Sequence, residues 1–204
     1  MVKKNYFLIF FIIFLSTFAL LKIFNNAVNL DSYEYGEWLI NYQSGFIRRG
    51  LSGEIIFKLS KIFGNNLQIT FSIILSIICI IYYRLNYVLL KDIKFNIFTI
   101  LVLFSPLLYF FFILINGVGI RKEILLFVFY LWYLINISSR NFNNNDLWKF
   151  IFIFPVLLFI HEGIFFYLPY IFLPILLIKK KEEYKNFIPH FSVLIFTSIL
   201  SMII

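Results

Sequence analysis

The chain is a succession of apolar runs separated by polar stretches, most of them short. At 1.5 Å per residue, a helix of about 20 residues crosses a hydrocarbon core of about 30 Å. Apolar segments near or somewhat below that length lie at 6–24, 67–88, 95–115, 124–137, 148–161, 164–178 and 187–204. Lipid offers no partner for a bare amide, so continuous apolar runs of this kind are stable there only as helices. The expected fold class is all-α, a polytopic transmembrane helix bundle with about seven membrane segments in a single integral membrane domain, 1–204. Composition agrees. Hydrophobic residues make up 62% and charged residues 14%, with a mean hydropathy of +0.92, against roughly 45–50% and about 25% in soluble domains. This excludes a soluble enzyme, a disordered tail, a disulfide scaffold and a zinc module. The single cysteine, Cys79, has no intramolecular partner for a disulfide and sits in an apolar run, where it packs as a small hydrophobe. The net charge of +8 follows the membrane in its placement, so no nucleic acid partner is expected.

Charge placement sets the expected topology. Lys3 and Lys4 precede the first run, which is too long for a signal-peptide core, and Ala27-Val28-Asn29 is a poor cleavage site. An uncleaved first span is expected. The stretch Trp148–Ile178 has 31 residues, too many for one comfortable span and few for two. A hairpin or re-entrant pair turning at His161-Glu162-Gly163 puts eleven basic residues on the inner side and seven on the outer. A single span would turn Lys179-Lys180-Lys181 outward, against the positive-inside tendency. The expectation is a multi-pass protein of the inner (plasma) membrane with a cytoplasmic N-terminus and an external C-terminus. On this map all eight glycines fall on the outer side, five of them in the connection 25–66. Glycine permits close backbone approach, so irregular, ligand-approaching backbone is expected on that face.

The outer loop 25–66 begins acidic and turns basic. Asp31, Glu34 and Glu37 recur at every third residue and would form one stripe on a helix, most simply a solvated first turn. Arg48 and Arg49 stand between glycines in Gly45-Phe46-Ile47-Arg48-Arg49-Gly50-Leu51-Ser52-Gly53. Guanidinium forks bind phosphate bidentately and glycines let main-chain amides join. The pair therefore reads either as a clamp for a lipid diphosphate or as a snorkelling anchor for anionic head groups. Leu51 to Lys61 is amphipathic and should lie in the interface.

Two further clusters share that side. Ile120-Arg121-Lys122-Glu123 opens a span directly after Gly117-Val118-Gly119, and His161-Glu162 interrupts an apolar stretch. Ionisable groups at lipid depth cost a few kcal/mol and are functional by default. Their alternative use is as glue between helices. His190 reads as structural. The expectation is that Arg48 or Arg49, Arg121 and His161 converge at one outer site, with Arg121 paired to Glu162 at rest. Arg48, Arg49, Arg121 and Lys122 would bind an anionic substrate, and His161 and Glu162 would supply acid–base catalysis. No metal and no cofactor is expected.

Arg121-Lys122-Glu123 at the head of one span, followed about forty residues later by Phe159-Ile160-His161-Glu162 and then Leu168-Pro169, resembles the Wzy-type and EpsG-like polymerases of O-antigen, capsule and exopolysaccharide. The resemblance covers about a quarter of the chain, from Arg121 to Pro169. It implies a membrane glycosyltransferase or polysaccharide polymerase working on a sugar linked to a lipid diphosphate such as undecaprenyl diphosphate. Arg121 would bind the diphosphate and His161 would belong to the catalytic centre. Arg48 and Arg49 have no counterpart in the resemblance. Such polymerases have more spans, so the chain is expected to be an N-terminal fragment if it belongs with them. The implied partners are the lipid bilayer, a lipid-linked oligosaccharide and other glycan-assembly membrane proteins. The competing classes are a transporter or channel subunit, for which no internal repeat is found, and a non-catalytic structural membrane protein.

Overall fold

A computed structural model describes residues 2–29, 32–47, 49–93, 96–103, 121–138, 144–178 and 184–203. All regular structure among the described residues is helical. The order is α1 (Val2–Asn29), α2 (Ser32–Leu39), α3 (Leu51–Phe63), α4 (Leu67–Leu90), α5 (Ile97–Leu103), α6 (Glu123–Ser138), α7 (Asn144–Leu158), a 3₁₀ turn (Glu162–Tyr167), α8 (Leu168–Ile178) and α9 (Tyr184–Ile203). Two stretches, Tyr6–Asn25 and Leu67–Leu90, are long and apolar enough to cross a membrane, with mean hydropathies of 2.6 and 2.0. Shorter apolar helices occupy Glu123–Ser138, Leu147–Leu158, Glu162–Leu177 and Phe187–Ile203. Of the expected segment 95–115 only the part in α5 can be compared, because 104–120 lies outside the described residues. Arg48 lies outside them as well, as do Asp31, Gly117, Gly119 and the cluster Lys179-Lys180-Lys181.

Helix ends follow local chemistry. Gly64 ends α3 in the left-handed conformation (φ 61°), and its N–H and that of Asn65 take the carbonyls of Lys61 and Ser60. Asn66 then caps α4, its side-chain oxygen accepting from the Gln68 N–H at 3.0 Å. Further on, α7 carries Pro155 one turn before its end. Proline removes a donor from the ladder. The chain turns through Phe159 and Ile160, leaving His161 extended (φ −156°, ψ 114°) ahead of the 3₁₀ turn. Pro169 follows in the first turn of α8, where its missing N–H costs nothing.

The sequence reading differs from the structure at several boundaries. Helix α1 runs through Asn25–Asn29, so the connection expected at 25–66 starts later, and α2 and α3 occupy much of it. Asparagine is a mediocre but tolerated helix residue, and apolarity can end before the hydrogen-bond ladder does. Similarly, the run expected at 164–178 opens in 3₁₀ geometry before becoming α-helical at Leu168.

The helices build two apolar clusters that share α6. One joins Leu8, Leu15 and Ile23 of α1, Trp38 of α2, Ile56 of α3, Phe71 and Cys79 of α4, and Ile124 and Leu131 of α6. The other joins Leu126, Phe129, Tyr133 and Ile137 of α6 to Phe150 and Phe154 of α7, Ile164, Ile171 and Ile175, and Leu194 of α9. In the first, α1 packs along α4 and α4 along α6; in the second, α7 packs along α9 and α6 reaches α8. Tyr133, wholly buried, donates its hydroxyl to the carbonyl of Ile171 at 2.6 Å and ties α6 to α8. His190 is buried with its ring 4.7 Å from that of Trp148, a packing position. Helix α6 is therefore where the two clusters meet.

Candidate functional site

The segment between α2 and α3 is shaped by glycines. A Cβ at Gly53 would stand 2.0 Å from the Ile40 carbonyl oxygen, so α3 crosses directly against the chain leaving α2. Glu54 of α3 accepts from the Tyr42 N–H at 3.3 Å. Gly50 lies under the Tyr42 ring, and its N–H donates to the Ile47 carbonyl at 2.8 Å. Gly45 has φ 123°, which an L side chain rarely adopts. The outcome is a compact turn that delivers Arg49 just before α3.

Arg49 crosses to the other half of the molecule. Its Nη2 donates to Oε1 of Glu162, 113 residues away, in a charge-assisted bond. Both side chains are partly open, 40% and 33% exposed respectively. Beside this pair, Nε2 of His161 lies 3.1 Å from Oε1 of Glu123 at the start of α6. That contact is more enclosed, at 17% and 22%. Oε2 of Glu123 and Nδ1 of His161 are buried and have no hydrogen-bond partner among the described residues. The imidazole also rests on Gly163, where an added Cβ would come within 3.2 Å of Cε1. Arg121, half-buried, lies close enough to Glu123 for its charge to act on that carboxylate.

Lys122 behaves differently from its neighbours. It is 1% exposed, and Nζ donates to the main-chain carbonyl of Arg49 at 2.8 Å. Burial pushes its pKa down to about 8, with the Glu37 carboxylate opposing that shift, Arg49 reinforcing it and Glu123 opposing it.

Of the residues singled out from sequence, Arg49, Arg121, His161 and Glu162 therefore gather at the N-terminal end of α6. The expected partner of Glu162 was Arg121; the carboxylate is instead taken by Arg49. Arg121 precedes α6 and its charge falls on Glu123 of the same strand of chain, whereas the turn before α3 brings Arg49 across the seam. Lys122, expected among the substrate-binding cations, is turned inward and holds backbone. Glu123, which the sequence offers beside Glu162 as a candidate partner for the ionisable groups of this site, is the partner of His161. The signal for it was present, since an acid in the first turn of an apolar helix needs a cation or donor nearby. Among the described residues no group of three or more His, Cys, Asp or Glu is placed to hold a metal ion. Comparison of the chain with known protein families, with curated proteins and with solved structures returns no match.

Proposed function

We propose that the chain is a multi-pass membrane protein of cell-surface polysaccharide assembly that transfers or polymerises sugars from a lipid diphosphate carrier at the outer face of the plasma membrane. The observation that carries this reading is the Arg49–Glu162 pair, a partly open guanidinium–carboxylate contact joining the two halves beside His161–Glu123. Such a pair combines the two groups a glycosyl transfer asks for. A guanidinium meets the charge that develops on a departing diphosphate, and a carboxylate accepts the proton of the attacking hydroxyl.

The membrane part is supported by the outward faces. Phe10 and Leu21 on α1, Phe152 on α7, Leu177 on α8 and Phe196 on α9 are all more than half exposed. Helices apolar on both faces suit lipid on one side and protein on the other. The seven-segment topology with a cytoplasmic N-terminus rests on the basic-residue bias.

In the proposed reaction the diphosphate displaces Glu162 from Arg49 and takes the bidentate fork, with Arg121 nearby. This releases the Glu162 carboxylate. The acceptor hydroxyl oxygen attacks the anomeric carbon, the bond from that carbon to the diphosphate oxygen breaks, and the hydroxyl proton passes to Glu162. The departing diphosphate keeps the electron pair and is held by Arg49. Glu162 is better placed than His161 to be the base, because Nδ1 of His161 is buried while Glu162 is a third exposed. His161 then acts beside it. Its carbonyl accepts from the Ile164 N–H at 3.1 Å and its ring is fixed by Glu123, so it shapes the turn that presents Glu162.

Deletion of the gene from its native cell, followed by complementation, tests this. Wild type should restore the chain-length distribution of a surface polysaccharide. Arg49→Ala, His161→Ala and Glu162→Gln, at wild-type abundance, should not. Restoration by all three variants would end the enzymatic reading in favour of a structural one.

A further inference from the structure

We propose that Lys122 is a positioning residue: its buried ammonium clamps the main chain of the Arg49 turn to the start of α6 and thereby sets where the Arg49 guanidinium stands relative to Glu162. Lysine is almost never fully buried without a partner. Here it is 1% exposed, among the largest fully enclosed side chains of the molecule, and its Nζ reaches a carbonyl 73 residues away in sequence. An amine meant for a diphosphate would have to face the ligand. This one faces Arg49 oxygen.

The consequence follows from how the turn is held. Its first end is fastened to α3 by the Ile40–Gly53 contact and by the Tyr42–Glu54 hydrogen bond. Its tip is exposed, with Phe46 at 59% and Ile47 at 45%. The far end is Arg49 itself. An arginine side chain has several rotatable bonds, and its fork is directional, so its position depends on a fixed backbone origin. Lys122 supplies that origin from the residue immediately before α6, the helix that opens with Glu123. One residue thus sets the spacing between the guanidinium from the first half and the His161–Glu162 turn of the second. Glu37 on α2 and Glu123 on α6 are the carboxylates that offset its charge, and Arg49 is the cation that opposes it.

The test uses the full chain in lipid nanodiscs, with Cys79→Ala as background and spin labels at Ile47→Cys and Phe166→Cys, both exposed positions on the two sides of the seam. With Lys122 present, the inter-label distance should be a single narrow distribution. Lys122→Met, similar in length but without a donor, should lose the narrow component. Lys122→Gln, which keeps an N–H donor, should restore it. Glu162→Gln, which weakens the ion pair but leaves Lys122, should keep it narrow. A narrow distribution in Lys122→Met, no recovery in Lys122→Gln, or loss in Glu162→Gln would each overturn the proposal. If Lys122→Met does not fold, Glu162→Gln decides alone: retention supports the clamp and loss assigns the positioning to the ion pair. The distances require no enzymatic activity, so they stand or fall separately from sugar transfer.

Discussion

At the scale of single residues, the His161 imidazole is confined by Glu123 at Nε2 and by the bare Cα of Gly163. A Cβ at 163 would sit 3.2 Å from Cε1 and 3.4 Å from Nε2, tight enough to displace the ring by a few tenths of an ångström. No positive φ is needed there, so alanine is compatible with the backbone. Gly163→Ala should therefore leave the midpoint of thermal unfolding nearly unchanged while lowering transfer, on the order of tenfold by analogy with other small misplacements near a reacting group. A large fall in thermal stability with activity intact would show that the ring position is not what matters. Lys122 gives a pH dependence. Its native pKa is lowered to about 8 from 10.5, so between those values the unfolded chain binds the extra proton and the native state does not. Below about 8 both states are protonated and the cost of burying the charge is fully present. Stability is regained as pH rises through the window. Relative to Lys122→Met, the wild type should gain roughly 1–3 kcal/mol between pH 8 and pH 10.5, measured by unfolding in detergent. At this scale the sequence was half legible. His161 and Glu162 stood out because ionisable groups inside an apolar run are costly. The partner of Glu162 did not, because charge type cannot say which of several cations reaches a carboxylate 113 residues away.

Among the elements, the contact between α3 and the chain leaving α2 decides where Arg49 emerges. It exists only because residue 53 has no side chain. Gly53→Ala would place a methyl 2.0 Å from a backbone oxygen, which cannot rotate aside. The expected loss is about 3 kcal/mol or more, at the upper end of overpacking costs. Gly36→Ala in α2, where nothing lies within 4 Å, is the control. It should be neutral or stabilise by up to about 1 kcal/mol, because alanine favours helix. Equal effects from both substitutions, read from unfolding midpoints, would remove the special role of the crossing. Elements were the most legible level. Apolar runs marked the cores of α4, α6, α7 and α9, whereas the stop at Gly64 and the restart at Asn66 between α3 and α4 emerge only in the structure. The overrun of α1 to Asn29 was invisible, since nothing at Asn25-Asn26 forbids helix. The amphipathic stretch from Leu51 was readable as a helix, but its packing against α2 and α4 was not.

For the whole molecule, the shared helix α6 makes one seam, and the seam constrains topology. Arg49 contacts Glu162 and Lys122 contacts Arg49, so Gly50, Lys122 and Gly163 must lie on the same side of any membrane the bundle crosses. Single cysteines at Ser44 and Gly163 in the Cys79→Ala background should both react with an impermeant reagent added outside intact cells. Labelling of one and protection of the other would separate the two halves of the site. Parity of the apolar runs already put these positions together, and the helix contacts explain why they meet rather than merely share a face. The most direct measurement is transfer itself. Purified protein in vesicles supplied with a lipid diphosphate-linked oligosaccharide should lengthen the glycan and release lipid diphosphate. Glu162→Gln should bind the same donor yet yield little product, and Arg49→Ala should lose donor binding as well. Wild-type protein that leaves the oligosaccharide unchanged, or a Glu162→Gln variant that extends it as fast as wild type, would contradict the assignment.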